Sequence, residues 1–408
     1  MPTAITWGLE ASPFLLKLEA MLRFHEVPFR RLPGQGGFLE NLRIGGRLER
    51  AKRDGTVRRH PEMNRALDEY PAVPFFSEDG VTFQYDSTSL GHWLDDRAAS
   101  AGASSAGGPD GRASGERLPP LFPTEPRLRF VARLLDEAFD EFGLYMVHHM
   151  RWVGSATDTT MGERTADELS RLAPPLLRAL PAARIRTRLP RRQVRRCPYL
   201  FSVAPDGYAA NVEPLRVPPS RPGFPPTHAL LHDAWLAHLD AMEALLAAQP
   251  YVLGERFTIA DASAYGQLSM NLIDPSAVRE LRERAPRLHG WLVGIRDGAH
   301  VGSRGALFLS DALRPLLAIV MQTFAPLMVQ NERAWRAAVA RGETLFNEAA
   351  FDRGCALYDG ELLGRPFRAV VKTFQVRVWQ ELRAAWSALA DDDRAALREW
   401  LPDSDSLG

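Results

Sequence analysis

Apolar residues follow two different periods near the start of this chain. Ala4 to Trp7 and Phe29 to Leu32 are short β-like runs, and between them Leu15, Leu18, Met21 and Leu22 recur at helical spacing. That order predicts a strand, a helix and a second strand. Two further runs, Ala72 to Phe76 and Val81 to Gln84, flank Ser77-Glu78-Asp79-Gly80, and the Asp-Gly pair predicts a hairpin. A helix from about Ser87 to Asp95, with Leu90, Trp93 and Leu94 on one face, closes the unit. Between Leu32 and Tyr70 the chain is polar and carries Arg43, Arg47, Arg50, Arg53, Arg58 and Arg59. This stretch reads as a loop-and-helix insertion whose basic cluster, rather than touching phosphates, forms a solvated helix face balanced by Glu40, Glu49, Asp54 and Glu62.

From Ala98 to Pro120 the composition shifts to Ala, Ser, Gly and Pro, which predicts a flexible linker. Beyond it the helical period takes over. Arg127 to Trp152 places Phe130, Leu134, Leu135, Phe139, Phe142 and Met146 along one side. Helices are also predicted over His228 to Ala248, Thr258 to Ile273, Pro286 to Gly294 and in several pieces from Leu307 to Leu401. Pro181 to Pro226, punctuated by Pro205-Asp206-Gly207 and Pro218-Pro219, receives no element. The expected organisation is an α/β domain over 1–97, a linker over 98–126, an all-helical domain over 127–300 and a helical extension over 301–408.

Composition removes several function classes. The 50 basic and 50 acidic residues cancel, so no global field recruits nucleic acid or an anionic membrane. Ala312 to Met328 is interrupted by Arg314, Pro315, Gln322 and Pro326, short of the roughly 20 apolar residues of a membrane span. No membrane partner is expected. The start has no basic and apolar leader pattern, and the two cysteines, Cys197 and Cys355, have no metal-like or Cys-x-x-Cys spacing. A reducing cytoplasm is expected, without zinc or a disulfide framework. His148-His149 follows Asp136, Glu137, Asp140 and Glu141, but helical spacing does not gather them into a metal site. Arg184 to Arg196 holds seven arginines with no aromatic before Tyr199 to stack on bases. It reads as a solvated or ion-paired helix rather than a nucleic-acid arm.

Three junctions carry candidate chemistry. Ser12-Pro13-Phe14 places Ser12 at the N-cap and Pro13 at the first position of a helix. Ser12 is complete as a plain cap, yet a helix N-terminus with unpaired N–H groups and a hydroxyl donor also stabilises a thiolate. Val73-Pro74 sits in an apolar run where proline is disfavoured except at an edge or a special bend. A cis bond there turns the backbone of Val73 outward to pair with a peptide-like ligand, whereas a trans edge-strand proline is the alternative. Asp86-Ser87 enters the next helix, where either residue serves as N-cap. The same pair suits an amino-acid head group, Asp86 for an ammonium and Ser87 with helix N–H groups for a carboxylate.

Together these junctions resemble the glutathione transferase family, over Ile5 to about Trp291. Tyr251-Val-Leu-Gly-Glu-Arg-Phe-Thr-Ile-Ala-Asp261 resembles the family's fold-nucleating segment, with Thr258-x-x-Asp261 as a capping box. Leu272-Ile-Asp-Pro275 and Ala285 to Trp291 resemble a stretch common in bacterial members. The resemblance implies a thioredoxin-like N-terminal domain followed by a larger all-helical domain. It implies Ser12 as a serine-type catalytic residue, Val73 and Pro74 on the cysteinyl backbone of glutathione, and Asp86 and Ser87 on its γ-glutamyl end. Glutathione is then a substrate whose thiolate is conjugated to a small apolar electrophile in detoxification, in a homodimer, with Phe139, Phe142, Tyr145 or Trp152 as candidates to line the co-substrate pocket, although core packing is the more common role for any one of them. The long 33–69 segment leaves the contact to the glycine end unassigned, and the tail beyond His300 has no counterpart in ordinary members. Both departures favour an alternative, a non-catalytic metaxin-like member for binding or assembly. With no cysteine in the N-terminal domain, thiol–disulfide chemistry is disfavoured.

Overall fold

The first strand runs pair as their alternation requires. In the computed structural model, which describes residues 3–59, 67, 73–105, 118–208 and 219–408, β1 (Ala4–Trp7) lies parallel to β2 (Phe29–Leu32) across α1 (Pro13–Phe24). The basic stretch contains α2 (Phe38–Arg53). β3 (Phe75–Ser77) and β4 (Gln84–Tyr85) are antiparallel, and the sheet order is β2-β1-β3-β4. Successive strand residues face opposite sides. Ala4 and Phe76 join the main core with Leu18, Met21 and Leu22 of α1 and with Leu90 and Leu94 of α3 (Ser87–Ser105). Ile5, Phe75, Phe83 and Tyr85 pack against Ile44 and Leu48 of α2 on the other face. Helices on both faces of this small mixed sheet make the domain thioredoxin-like.

Three boundaries here differ from the sequence expectation. The third strand is Phe75–Ser77, not Ala72 to Phe76, as Pro74 has no N–H to give the ladder. The second strand of the hairpin is Gln84–Tyr85, not Val81 to Gln84, because the Asp79 carboxylate accepts the N–H groups of Val81 and Thr82, both at 2.7 Å, and holds them in the turn. α3 runs on to Ser105 through the alanine-rich residues expected to open the linker, as alanine's helix propensity favours. The far end of that linker is also anchored. Asp95 accepts the N–H groups of Leu121 and Phe122 at 2.8 and 3.0 Å, and both side chains are buried. The middle of the expected linker, 106–117, lies outside the described residues, as do residue 72 of the third strand run, 60–66 and 68–69 of the basic stretch and 209–218 of the Pro181 to Pro226 segment.

The rest is mostly helical. α4 (Pro126–Ala138) is capped by Glu125, whose carboxylate accepts the Leu128 N–H at 2.7 Å. It continues through a π-helical turn into α5 (Leu144–His149) and a second such turn, Met150–Gly154. α6 (Met161–Ser170) packs against α7 (Ala179–Arg196), which runs into the Pro181 to Pro226 segment left without an element. α8 (His228–Ala248), α9 (Ile259–Ser269), α10 (Pro275–Arg284) and α11 (Pro286–Arg296) complete the helical domain. α9 opens on the expected capping box, the Asp261 carboxylate accepting from the Thr258 N–H at 2.9 Å and its hydroxyl at 2.8 Å.

The extension contributes α12 (Arg314–Ala340), α13 (Asn347–Arg353), β5 (Leu357–Leu362), β6 (Arg365–Val370), α14 (Thr373–Ser387) and α15 (Asp391–Arg398). The expectation of a purely helical extension is therefore corrected. Leu363 (φ 53°) and Gly364 (φ 70°) form a two-residue turn with both residues left-handed, the geometry that suits the twist of two strands. Asp311–Ala340 is long and apolar enough to cross a membrane by length and composition, contrary to the reading of its charges and prolines; 56% of its most apolar window is buried in the fold. Leu316, Val320, Phe324 and Met328 of this helix belong to the same core as α1 and α4.

The tightest joint between the sheet domain and the helices is α1 against α9. A Cβ on Gly266 would lie 2.7 Å from both the Pro13 carbonyl oxygen and Lys17 Cβ. Gly266→Ala is expected to force the two helices apart and lower stability by about 1–3 kcal/mol, read as a lower urea midpoint; an unchanged midpoint would remove the close-contact role of this glycine.

Candidate functional site

Strand register decides where the candidate residues stand. Trp7 of β1 is the partner of Phe75 in β3, and Phe75 is the partner of Tyr85 in β4. The end of β1, the start of β3 and the end of β4 therefore form one row. The loop to Ser12 leaves from that row, Val73-Pro74 enters it, and Asp86-Ser87 leaves it. All three junctions meet at one end of the sheet.

Ser12 is the N-cap of α1, with Pro13 at the first helical position, and its hydroxyl oxygen accepts the Leu15 N–H at 3.4 Å. That bond uses a lone pair and leaves the O–H free to donate. The loop before Ser12 is fastened from α6. The Glu10 N–H donates to Glu168 Oε2 at 3.1 Å, and Arg164 reaches the Glu10 carboxylate at 3.2 Å. Val73-Pro74 is a cis peptide bond, with Val73 exposed and Pro74 buried.

Of the two residues that suit the cap of α3, the structure selects Asp86. Its carboxylate accepts the Ser89 N–H at 2.9 Å and its carbonyl the Leu90 N–H at 2.9 Å, while Ser87 is the buried first residue of the helix. Arg59 Nη2 meets the other carboxylate oxygen at 2.5 Å. Arg59 was expected on a solvated face; instead it is buried, because Arg58 adds to the sheet edge. The Arg58 N–H donates to the Phe83 carbonyl and its own carbonyl accepts the Tyr85 N–H, at 2.9 and 3.1 Å. Burial raises the Asp86 pKa, but Arg59, Arg377 and the Ser89 N–H outweigh it and hold the carboxyl below its ordinary value. Asp86 is thus an ionised group near neutral pH.

Beneath the site lies a charge cluster that sequence reasoning missed. Lys17, fully buried on α1, reaches Asp136 Oδ1 at 2.5 Å and Asp140 Oδ2 at 2.6 Å, and donates to Thr88 Oγ1 at 2.8 Å. Thr88 and Ser263 donate hydroxyls to Asp136, and the Gln267 amide reaches Asp140 at 3.4 Å. Burial lowers the Lys17 pKa, yet the two carboxylates more than restore it. Burial also drives the neighbouring acids upward. Glu137 lies well above the carboxylate range, Asp140 is raised despite Lys17, and Glu141 is pushed up to about 7 against the pull of Gln375, Arg377 and Lys372.

Of the two readings of the aromatic residues along α4, α5 and the turn after it, pocket lining or core, the structure gives the core. Phe139, Phe142, Tyr145 and Trp152 are all core residues. The Tyr145 hydroxyl accepts from the Lys372 ammonium and from the Gln375 amide, the latter at 2.8 Å, and its ring stacks 5.6 Å from that of Phe201. Lys372 sits 4.3 Å from the Tyr145 ring and 4.7 Å from that of Tyr199. Lys372 and Gln375 stand at the start of the extension's α14, and Tyr199 and Phe201 follow α7.

Elsewhere, a cleft of about 1310 Å³ is lined by His149, Met150, Tyr208, His228, Arg279 and Arg365. His149 Nε2 and His228 Nδ1 are 2.9 Å apart, and burial holds both imidazoles well below their ordinary pKa, hence neutral. Among the described residues no group of three His, Cys, Asp or Glu could hold a metal ion. Cys197 is buried, and burial raises its thiol pKa far from a reactive value.

Residues 225–293 match the family model described as Glutathione S-transferase, C-terminal domain. No curated protein matches the chain. Among solved structures, a glutathione S-transferase from Pseudomonas fluorescens Pf-5 is 17% identical, covers 74% of this chain and 98% of its own, and has a TM-score of 0.35. The β-etherase LigF from Sphingobium sp. strain SYK-6 is 14% identical, covers 76% and 97%, and scores 0.38. Glutathione S-transferase III in its apo form is 15% identical, covers 78% and 97%, and scores 0.30.

Glu141 offers a test of the buried acid cluster. Its folded pKa, about 7, stands above the ordinary 4.5, so folding takes up a proton there. The associated stability is full below pH 4.5 and lost as pH rises through 7. Glu141→Gln, which mimics the protonated form, is expected to match the parent's melting temperature near pH 5 and to exceed it by several degrees above pH 8. A constant difference across that range would contradict the raised pKa.

Proposed function

We propose that this chain, glutathione-transferase-like in its N-terminal sheet and its matched helical domain, binds glutathione where β1, β3 and β4 meet. The observation that carries the reading is the Trp7–Phe75–Tyr85 row, which gathers Ser12, Val73-Pro74 and Asp86-Ser87. In this reading the exposed backbone of Val73 pairs with the cysteinyl unit beside Pro74. Asp86 takes the γ-glutamyl ammonium. A carboxylate has about four lone-pair sites, so the bonds to Arg59 and Ser89 leave room for it. Ser87 and the first N–H groups of α3 take the γ-glutamyl carboxylate.

Ser12 then acts on the thiol. A free thiol has a pKa of about 8.5, and thiolate is the nucleophile. A hydroxyl donor at a helix N-terminus favours the charged form, and each unit of lowering is about 1.4 kcal/mol of differential stabilisation. The proposed chemistry is attack of that thiolate on a small apolar electrophile, in a cytoplasmic enzyme. The second reading, glutathione binding without conjugation, is favoured by one observation: Tyr145 and its neighbours are occupied by Lys372 and Gln375.

Calorimetric titration of the full chain with glutathione is expected to give saturable binding at millimolar concentration or below; no heat would sink both readings. With an aryl halide as electrophile, Ser12→Ala is expected to lower kcat by roughly 10- to 100-fold, matching one to two units of thiol pKa, with the glutathione Kd changed less than about twofold. Saturable glutathione binding without turnover of any aryl halide would select the second reading.

A further inference from the structure

Residues 171–196, from the end of α6 through α7, contain nine arginines and no aspartate or glutamate, in a chain with zero formal charge. Of the two expectations for this helix, solvated or ion-paired, the structure gives the solvated one. Of these nine, only Arg196 meets a carboxylate among the described residues, Glu348 at 2.9 Å. Pro190 and Val194 are the residues α7 buries, and Pro190 rests on Gly162 of α6. Leu180, Arg184, Arg188, Arg191 and Arg195 recur three or four residues apart, which sets them along one stripe of the helix. Leu180, Arg184, Arg188 and Arg195 are exposed, and Arg191 is half-buried.

Exposed leucines cluster at the N-terminal end of that stripe. Leu176 is 97% exposed and Leu180 76%, with Leu172 and Leu177 also exposed. The Asn41 side-chain amide donates to the Arg171 carbonyl at 3.2 Å, bringing the first turn of α2 up to this corner, and that turn adds exposed Leu39 and Leu42. A single exposed leucine needs no explanation, but a contiguous group does. An apolar tip beside an unpaired arginine stripe is what an interfacial helix presents to an anionic bilayer. A nucleic-acid surface would use the arginines but has no use for the leucines, and the stripe offers no aromatic ring for stacking.

We propose that the α6–α7 turn and α7 dock this protein on an anionic lipid bilayer, with Leu176, Leu177 and Leu180 in the headgroup boundary and Arg184, Arg188 and Arg195 over lipid phosphates. The docking is peripheral and independent of the glutathione reading. Because the chain as a whole is neutral, attraction comes from this one face and weakens as salt shortens its reach.

The test is co-sedimentation of the full chain with vesicles of phosphatidylcholine alone or mixed with phosphatidylglycerol. Binding is expected to the mixed vesicles only and to fall with added salt. Each arginine near an anionic surface multiplies partitioning by roughly fivefold, so Arg184→Glu/Arg188→Glu/Arg195→Glu is expected to lower it by at least about a hundredfold. Leu176→Ser/Leu180→Ser is expected to lower it by about tenfold or more. All five positions are exposed, and far-UV circular dichroism checks that each variant stays folded. Absence of binding to mixed vesicles at low salt would overturn the proposal. So would binding that the leucine variant retains in full, or that a DNA duplex matches with the same indifference to the leucines, since either result would make the stripe a general polyanion site.

Discussion

A lysine ammonium with no exposed surface joins the two halves of this protein. Lys17 belongs to α1 of the sheet domain, Asp136 and Asp140 to the long helix of the other half, and each lies within 2.6 Å of the ammonium. Removing these charges from water is costly, and only dense hydrogen bonding offsets it. Thr88, Ser263 and Gln267 supply those bonds from α3 and α9. The cluster makes sense only with all its members: deleting one partner strands the others without compensation, a loss of about 3–5 kcal/mol for a buried pair. Two aspartates against one ammonium also leave an excess of negative charge. Glu137 and Glu141, already disfavoured as anions by burial, are pushed further toward their protonated forms, Glu137 by both aspartates and Glu141 by Asp140. The proposed glutathione site rests directly on this arrangement, since Thr88 is the next residue after Ser87.

The segment from α6 to Phe201 and the extension work on the same region. α6 fastens the loop before Ser12 through Glu168 and Arg164, and Tyr199 and Phe201 cover Tyr145 from one side. The extension closes the other side with Lys372 and Gln375. Its α12 shares one continuous core with α1, α4 and α8. The extension is therefore part of the folding unit rather than an attached module.

What could be read in the sequence was local. Ser12-Pro13 and Thr258-x-x-Asp261 are helix starts written within four residues, and both stand as read. The Val73-Pro74 bend and the Asp86-Ser87 helix start were equally visible. Arg59 was not, because its place on Asp86 depends on a single bridge between Arg58 and Gln84 at the sheet edge. The hairpin at 357–370 was hidden by the helical character around it, although Gly360, Gly364 and Pro366 marked a break. Lys17 did carry a signal. A lysine among Leu15, Leu16 and Leu18 asks for a buried counter-charge, and Asp136 with Asp140, four residues apart on one helix face, is such a pair. Whether the α7 arginines were paired could not be read, since distant residues decide it; the lack of acids within a turn of them was there to see.

Gly266 has a mechanical consequence. With no side chain to separate them, the backbone of α9 lies directly against Pro13 and Lys17, and the ion cluster locks the same joint from beside it. A hinge between the halves has no slack at that point. For the proposed ligand, passage to the end of the sheet then falls to small movements of the Glu10 loop against α6, a latch of one ion pair and one backbone N–H bonded to a carboxylate, rather than to the opening of one domain from the other.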